Sequence, residues 1–210
     1  MSLECRTRDI YARLQASLRL GCLRSCREYK WSSSTSKDLE EMFAFAATVK
    51  FTMFSTKLDD GNIVSRPMAL VKRINTVDFY MITSKESDKA VQLEKDGHAS
   101  LSLFRSNDYS WASISGTATL VDDREKIHEL HSFFLRPFFD DKGDGIHNGG
   151  KDDPRIVLIK FTSHFGRYQI QNNTLSQAYE LAKSALTGGS AHFSPTKNIT
   201  KEQIDAARTT

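Results

Sequence analysis

From residue 51 onward most apolar positions recur with period two, which predicts half-buried β-strands. Phe51 to Thr56 alternates in this way. Asp59-Asp60-Gly61-Asn62 behind it is a hairpin-turn signal, and Ile63 to Val71 is the returning strand. Pro67 within that strand predicts a sheet edge or a bulge, because proline cannot donate to a ladder. Asp78 to Thr83 and Ala99 to Phe104 read as the third and fourth strands. Trp111 to Val121 is the fifth, with a bulge at Gly116. Arg155 to Thr162 and Phe165 to Ile170 complete the strands.

Helical spacing appears in four places. Asp38-Leu-Glu-Glu-Met-Phe-Ala-Phe-Ala-Ala follows a capping box from Thr35 to Asp38 and puts Phe43, Ala46 and Ala47 on one face. Ser87 is placed to cap a helix from Asp88 to Asp96, with Gly97 ending it. A third helix starts at Asp122 with Glu125 three residues on. Ile127, Leu130, Phe134 and Leu135 form its apolar stripe. The tail holds two short helices, Gln177 to Leu186 and Lys201 to Arg208, the second preceded by a Thr200–Gln203 capping box. No internal repeat is present.

Short strands at this spacing, with a few covering helices, predict a mainly β (α+β) fold, a small antiparallel barrel with helical additions. The 210 residues fit one ordinary domain, and 13 Phe with 6 Tyr and 2 Trp suffice to fill its interior. The boundaries drawn are an extension over 1–37, a barrel over 38–172 and a helical tail over 173–210. A net charge of +3 argues against a dominant nucleic-acid role. No apolar run approaches the ~20 residues of a membrane span, so a soluble, non-membrane protein is expected.

Residues 1–37 hold six Arg and two Lys against Glu4, Asp9 and Glu28, with seven Ser. That composition suits an organelle transit peptide, and Ile10, Leu14, Leu18 and Leu20 could form its apolar stripe. A disordered leader on a cytoplasmic protein is the competing reading. Cys5, Cys22 and Cys26 all lie here, so a disulfide-stapled fold is not expected. Cys22 and Cys26 lack the second ligand pair of a zinc site.

One constellation points to chemistry. A strand runs into Thr83 and Ser84, then into a helix opening at Ser87 with Lys89 in its first turn. Free amides and the helix dipole there favour an anion, and a cation in that turn is unfavourable unless an anion compensates it. Arg66 on the preceding strand could add bidentate contacts to a phosphate. Alternatively Arg66 is a surface residue paired with a carboxylate, and Lys89 a solvated lysine. His128 and His131, one turn apart, imply no third ligand. The Asp140–Asp153 loop fails as a calcium loop, because Lys142 and Lys151 stand where oxygen ligands are needed. No acid, base or nucleophile stands out, so redox chemistry would have to be carried by a cofactor.

Val64 to Leu70, Phe79 to Lys89 and Trp111 to Asp123 resemble the pyridoxamine 5′-phosphate oxidase-like split-barrel superfamily, in the branch of bacterial general stress proteins and fungal blue-light-induced proteins. The similarity runs roughly from Leu39 to Arg208. It includes Asp152-Asp153-Pro154-Arg155 and the Ala182 to Gly188 segment. The resemblance implies a six-stranded antiparallel split barrel of Greek-key type, a homodimer, and FMN in a cleft at the subunit interface. By position, Arg66 and Lys89 would hold the FMN phosphate. Ile82, Thr83 and Ser84, with Ser87, would add backbone and hydroxyl donors. Ser65, Arg66, Pro67 and Met68 would line the ribityl chain and the ring edge. Trp111 falls where the oxidases place a flavin-contacting glutamine.

The departures from the oxidase pattern are specific. Val71 replaces a substrate-gripping lysine, and Asp88 replaces a second phosphate-binding arginine. No counterpart of the C-terminal substrate arginine segment follows Gln171. The resemblance thus implies a stress-response-type flavin protein, with FAD tolerated, that does not oxidise pyridoxamine phosphate. It is either a flavin-dependent oxidoreductase or a non-catalytic sensor, store or empty binding module. A nucleic-acid-binding barrel is the remaining reading, and the weak net charge and lack of a dense basic-aromatic strand count against it.

Overall fold

A computed structural model describes residues 36–171, 182–188 and 194–208, with the side chain of Phe134 excepted. The extension over 1–35, including the capping Thr35 and the three cysteines, lies outside the described residues. So do positions 177–181 of the expected tail helix, whose continuation over 182–187 is helical.

The strands form one antiparallel sheet. β1 (Phe51–Lys57) and β2 (Ile63–Ala69) make the expected hairpin, closed by a turn in which Gly61 adopts φ 88°. β3 (Lys72–Ile74) and β4 (Asp78–Ser84) form a second, shorter hairpin. β5 (His98–Arg105), β6 (Ser110–Val121) and β7 (Ile156–Gln169) follow, and β8 (Lys197–Ile199) comes from the tail. The order is β2-β1-β5-β6-β7-β4-β3, with β8 on β7. Strands β4 to β7 lie in the order 4-7-6-5, a Greek key. The six longer strands are those of the expected barrel, and β3 and β8, three residues each, bring the total to eight.

Two strands expected as separate are one. β7 runs unbroken for 14 residues through Thr162-Ser163-His164. β6 pairs Ser115 with Phe165 and Gly116 with Ser163, so His164 is the extra residue of a bulge. Gly116 is needed opposite it, because a Cβ there would lie 2.0 Å from the Thr162 carbonyl oxygen. Ser163 is fully buried yet satisfied: its amide donates to Asp78 (3.0 Å) and its hydroxyl to the Val77 carbonyl (2.5 Å). Pro67 sits on the edge strand β2, where no ladder needs its missing N–H.

Helix α1 (Ser36–Thr48) buries Leu39, Met42, Phe43, Phe45 and Ala46 against the sheet, while Ala47, expected inward, is exposed. Phe43 stacks on Phe79 with ring centroids 5.8 Å apart. Burying such a ring stabilises by about 2 kcal/mol. Met42 packs where Gly166 leaves room, since a Cβ on Gly166 would approach its Sδ to 2.5 Å. Helix α2 (Asp88–Lys95) follows β4. Helix α3 (Arg124–Leu130) is capped by Asp123 rather than Asp122, with the Asp123 carboxylate accepting from the Lys126 amide at 3.1 Å. The stripe expected to continue α3 breaks at its end, and Phe133–Phe138 form a 3₁₀ turn containing Pro137. Helix α4 (Lys201–Arg208) carries the expected capping box, with the Thr200 amide donating to Gln203 at 2.8 Å.

Two apolar clusters result. The larger fills the barrel under α1 and α4. The smaller gathers Ile82, Ile127, Ile156 and Leu158, with Val71, Leu135 and Phe139 packed against it. Among the described residues no helix is long and apolar enough to cross a membrane.

Candidate functional site: a cleft with a cationic end

A cleft of about 270 Å³ lies between the edge strand β2, the end of β4, the start of α2 and the 3₁₀ turn. Arg66, Pro67 and Met68 come from β2, Ile82, Thr83 and Ser84 from β4, and Ser87 and Lys89 from the helix start. Alternation explains the β2 contribution. Arg66 is paired with Phe54 and turned toward the inner face, while Pro67 next to it faces outward.

The Arg66 guanidinium is held by neutral groups only. It donates to the Thr56 hydroxyl, to the Phe54 carbonyl (3.4 Å) and to Gln92 Oε1 (3.0 Å), and Thr56 in turn donates to Gln92 Oε1 (2.6 Å). Lys89 Nζ donates to Thr83 Oγ1 (3.2 Å), which lies 3.3 Å from the Ser87 hydroxyl. Neither cation has a carboxylate within ion-pair distance among the described residues. The carboxylate-paired reading of Arg66 therefore does not hold. Burial lowers the pKa of Arg66, with the charge of Asp88 opposing. Burial also lowers that of Lys89, the nearby charge of Arg66 adds to this, and Asp88 again opposes. Two half-buried cations thus stand together, Arg66 disfavouring the charge of Lys89, beside a helix start where Asp88 and Lys89 have no intrahelical acceptor for their amides.

Ser87 was expected to cap α2 with its side chain. It occupies the cap position with extended backbone, but its hydroxyl donates to the Ser84 carbonyl (2.6 Å) instead. The Ser84 hydroxyl accepts from the Glu86 amide (3.2 Å). The turn is thereby pinned by its own hydroxyls.

A model of the pyridoxamine 5′-phosphate oxidase-like family matches residues 37–192. The chain belongs to the pyridoxamine 5′-phosphate oxidase-like family. Protein bli-3 of Neurospora crassa is 31% identical over 173 residues, covering 81% of this chain and 83% of its own. Among solved structures, a Clostridium acetobutylicum protein related to general stress protein 26 of B. subtilis superposes with a TM-score of 0.59 at 18% identity, over 81% of this chain and 99% of that one. The general stress FMN/FAD binding protein of Xanthomonas citri gives 0.52 at 17% identity, over 66% and 92%. These two likenesses speak for the fold: this is the split-barrel architecture of the pyridoxamine 5′-phosphate oxidase-like proteins.

Eight of the ten residues singled out from sequence, Arg66, Pro67, Met68, Ile82, Thr83, Ser84, Ser87 and Lys89, line the one cleft. Ser65 does not. It faces the other side of β2, with its hydroxyl 2.7 Å from that of Ser55. Trp111 lies away from the cleft of its own chain, at the start of β6, where its indole N–H donates to Gln169 (3.2 Å). Sequence reasoning missed Thr56 and Gln92, which orient Arg66. It also missed Phe51, Leu135, Phe138 and Phe139, which wall the cleft. The aromatic run from Phe133 to Phe139 is the available signal, of which only Phe134 and Leu135 enter the predicted helix stripe.

His128 meets Asp152 at 2.9 Å and the His131 ring meets the Gly149 carbonyl at 2.9 Å, so the two histidines serve the following loop. Among the described residues no group of three or more His, Cys, Asp or Glu is arranged to hold a metal.

Proposed function

We propose that this protein binds a flavin mononucleotide in the β2–β4–α2 cleft, as a stress-response-type flavoprotein that tolerates FAD. The carrying observation is that Arg66 and Lys89 converge there with three hydroxyls and a helix start but, among the described residues, no carboxylate partner. A dianionic phosphate supplies the missing counter-charge. Family membership and the FMN/FAD binding of the Xanthomonas citri protein support this reading. Arg66 and Lys89 would hold the phosphate, with Thr83, Ser84 and Ser87 donating around it, and Pro67 and Met68 would lie along the ring side. When bound, the flavin supplies two-electron hydride chemistry.

The described residues lining the cleft include no carboxylate, histidine, cysteine or tyrosine. The protein's own part is therefore placement, anion contact and water exclusion, and any turnover is carried by the cofactor. The same observation favours, as second reading, a flavin store or sensor without turnover. Oxidation of pyridoxamine phosphate is not proposed, because Val71 presents an apolar surface to the cleft and the described lining residues offer no further cation for a second phosphate.

We further propose a homodimer with the cleft at its interface. A cleft of about 270 Å³ is at or below the size that encloses a cofactor-sized ligand. Phe51 and Pro67 lie both on its rim and on the outer sheet face, so a second copy docked there would cover it. Trp111, off the cleft in its own chain, could contact a flavin only from such a partner.

Purified protein is expected to be yellow, or to take up FMN with a shift of its visible bands. Arg66→Ala combined with Lys89→Ala abolishes retention while circular dichroism stays unchanged. Wild-type protein that ignores added FMN and FAD sinks the reading. Retention by the double variant would mean that the phosphate lies elsewhere. Oxidation of a nicotinamide donor by the loaded protein separates the oxidoreductase from the store.

A further inference from the structure

The Asp152-Asp153-Pro154-Arg155 motif lies outside the cleft lining, yet it carries a buried ion pair. Asp153 and Arg155 are both buried. Arg155 Nε donates to Asp153 Oδ1 (3.1 Å) and a terminal nitrogen donates to Oδ2 (2.7 Å). The amides of Arg155 (2.9 Å) and Gly149 (2.8 Å) bring the donors on this carboxylate to four. Desolvation offsets much of the attraction within a buried pair, so stability alone is a weak reason to keep one.

Both walls of the cleft are fastened to this pair. On one side the Arg155 carbonyl accepts from the Lys85 amide (2.8 Å), in the β4–α2 turn that carries Ser84 and Ser87. On the other side the Arg155 guanidinium donates to the Asp140 carbonyl (2.8 Å), next in sequence to Phe139 of the apolar wall. Asp153 fixes Gly149 behind that wall. The approach there is so close, with Gly149 at φ 70°, that a Cβ would lie 3.0 Å from Phe139 Cβ and 3.1 Å from the Arg136 carbonyl oxygen. Ile156 follows Arg155 into the smaller core cluster, against which Leu135 and Phe139 pack. The cationic turn and the aromatic wall are far apart in sequence, and this one pair hydrogen-bonds the backbone of both segments.

We propose that Asp153 and Arg155 are positioning residues for the cofactor: without touching it, they set the phosphate-binding turn and the aromatic wall at a fixed separation. The proposal rests on the flavin reading above. Two quantities are measured on full-length protein at neutral pH: the FMN dissociation constant, and the visible circular dichroism of the bound flavin at saturating FMN, which reports the surroundings of the ring. Asp153→Asn weakens FMN by about tenfold or more and alters the visible spectrum, because turn and wall shift together. Arg208→Met is the control for lost stability. It breaks the ion pair of buried Asp78, outside the cleft lining, and leaves FMN affinity within about twofold and the spectrum unchanged. An unchanged affinity in Asp153→Asn, a weaker affinity with an unchanged spectrum, or an equal weakening in Arg208→Met overturns the positioning role. Where Asp153→Asn fails to fold by far-ultraviolet circular dichroism, Arg155→Lys decides by the same criteria, since it keeps the charge and loses the planar fork. If neither variant folds, the pair belongs to stability and the positioning role falls. Wild-type protein that takes up no FMN overturns the flavin reading itself, and this is seen before any variant is compared.

Discussion

Arg66 illustrates how much of a binding residue's work is done by its neighbours. Its guanidinium is aimed by Thr56 and by Gln92, neutral groups that orient it without spending its charge. Removing one such hydrogen bond typically costs about 1 kcal/mol, and more where the partner is charged. Gln92→Leu is therefore expected to weaken FMN binding roughly tenfold while moving the melting temperature little, because Gln92 is only part-buried. Flavin release on dilution measures this. An unchanged release would show that Arg66 keeps its aim without Gln92.

Asp153 carries a residue-scale pH effect. Burial alone would raise its pKa, but the Arg155 guanidinium and the amides of Gly149 and Arg155 outweigh this and hold it well below the usual carboxylate range. A carboxylate depressed by folding contributes stability that is present above its unfolded pKa of about 3.9 and is lost as pH falls toward the folded value. The melting temperature is expected to drop below about pH 4, and this part of the drop should disappear in Asp153→Asn. A variant that keeps the full acid slope would show that Asp153 does not contribute to it.

At the scale of elements, the tail is part of the barrel rather than an appendage. β8 extends the sheet beside the second half of β7, pairing Gly166 with Ile199 and Tyr168 with Lys197. Lys197 bridges Asp38 (2.7 Å) and Glu41 (2.8 Å) on α1, and Tyr168 donates to Glu41 (2.9 Å). Arg208 at the end of α4 donates to both oxygens of Asp78 (2.9 and 3.0 Å) and to the Ser163 carbonyl (2.7 Å). Asp78 is 1% exposed, so Arg208→Met leaves a buried charge without its ion-pair partner. The expected cost is about 3 kcal/mol, part of which Asp78→Asn in the same chain recovers. Urea unfolding of the two variants tests this, and a single variant as stable as wild type would refute it.

What was legible at this scale follows from how local each signal is. The hairpin at Asp59 to Asn62 and the edge position of Pro67 are short-range backbone facts, and each could be read directly, whereas the irregularity signalled by Gly116 has its extra residue, His164, on the facing strand. β3 and β8 were not legible, because three residues carry no alternation: β3 is the short arm of a hairpin with β4, and β8 forms only by pairing with β7 across the tail. Ser163 looked like a break because polar residues usually end a strand. Its partners, Asp78 and Val77, lie more than eighty positions away. The site divides in the same way. The β4–α2 turn and Arg66 could be read from residue types, whereas Thr56, Gln92 and the Phe138–Phe139 wall are joined to them only by the fold.

The whole molecule shows one large surface that a monomer has little reason to keep. Directly paired residues share a sheet face, so the register places Met53 beside Ser102, Ser102 beside Ser113, Phe104 beside Trp111, and Ser55 between Ser65 and Ser100. This outer face of β2, β1, β5 and β6 is serine-rich. It is studded with Phe51, Met53 and Phe104, exposed to 55%, 43% and 59%. The exposed Phe and Met residues are of the kinds enriched in interface cores, and small serines beside them leave room for a second copy to approach. The cleft opens on this face through Phe51 and Pro67, so assembly and cofactor retention should rise and fall together. The expected species in solution has twice the 23.7 kDa chain mass. Phe104→Glu, far out on the face and not lining the cleft, should yield monomers that fold normally but release FMN. Light scattering and flavin absorbance on the same chromatographic peak decide it. A Phe104→Glu dimer would remove this face from the interface, and a monomeric wild type that retains FMN would uncouple cofactor binding from assembly.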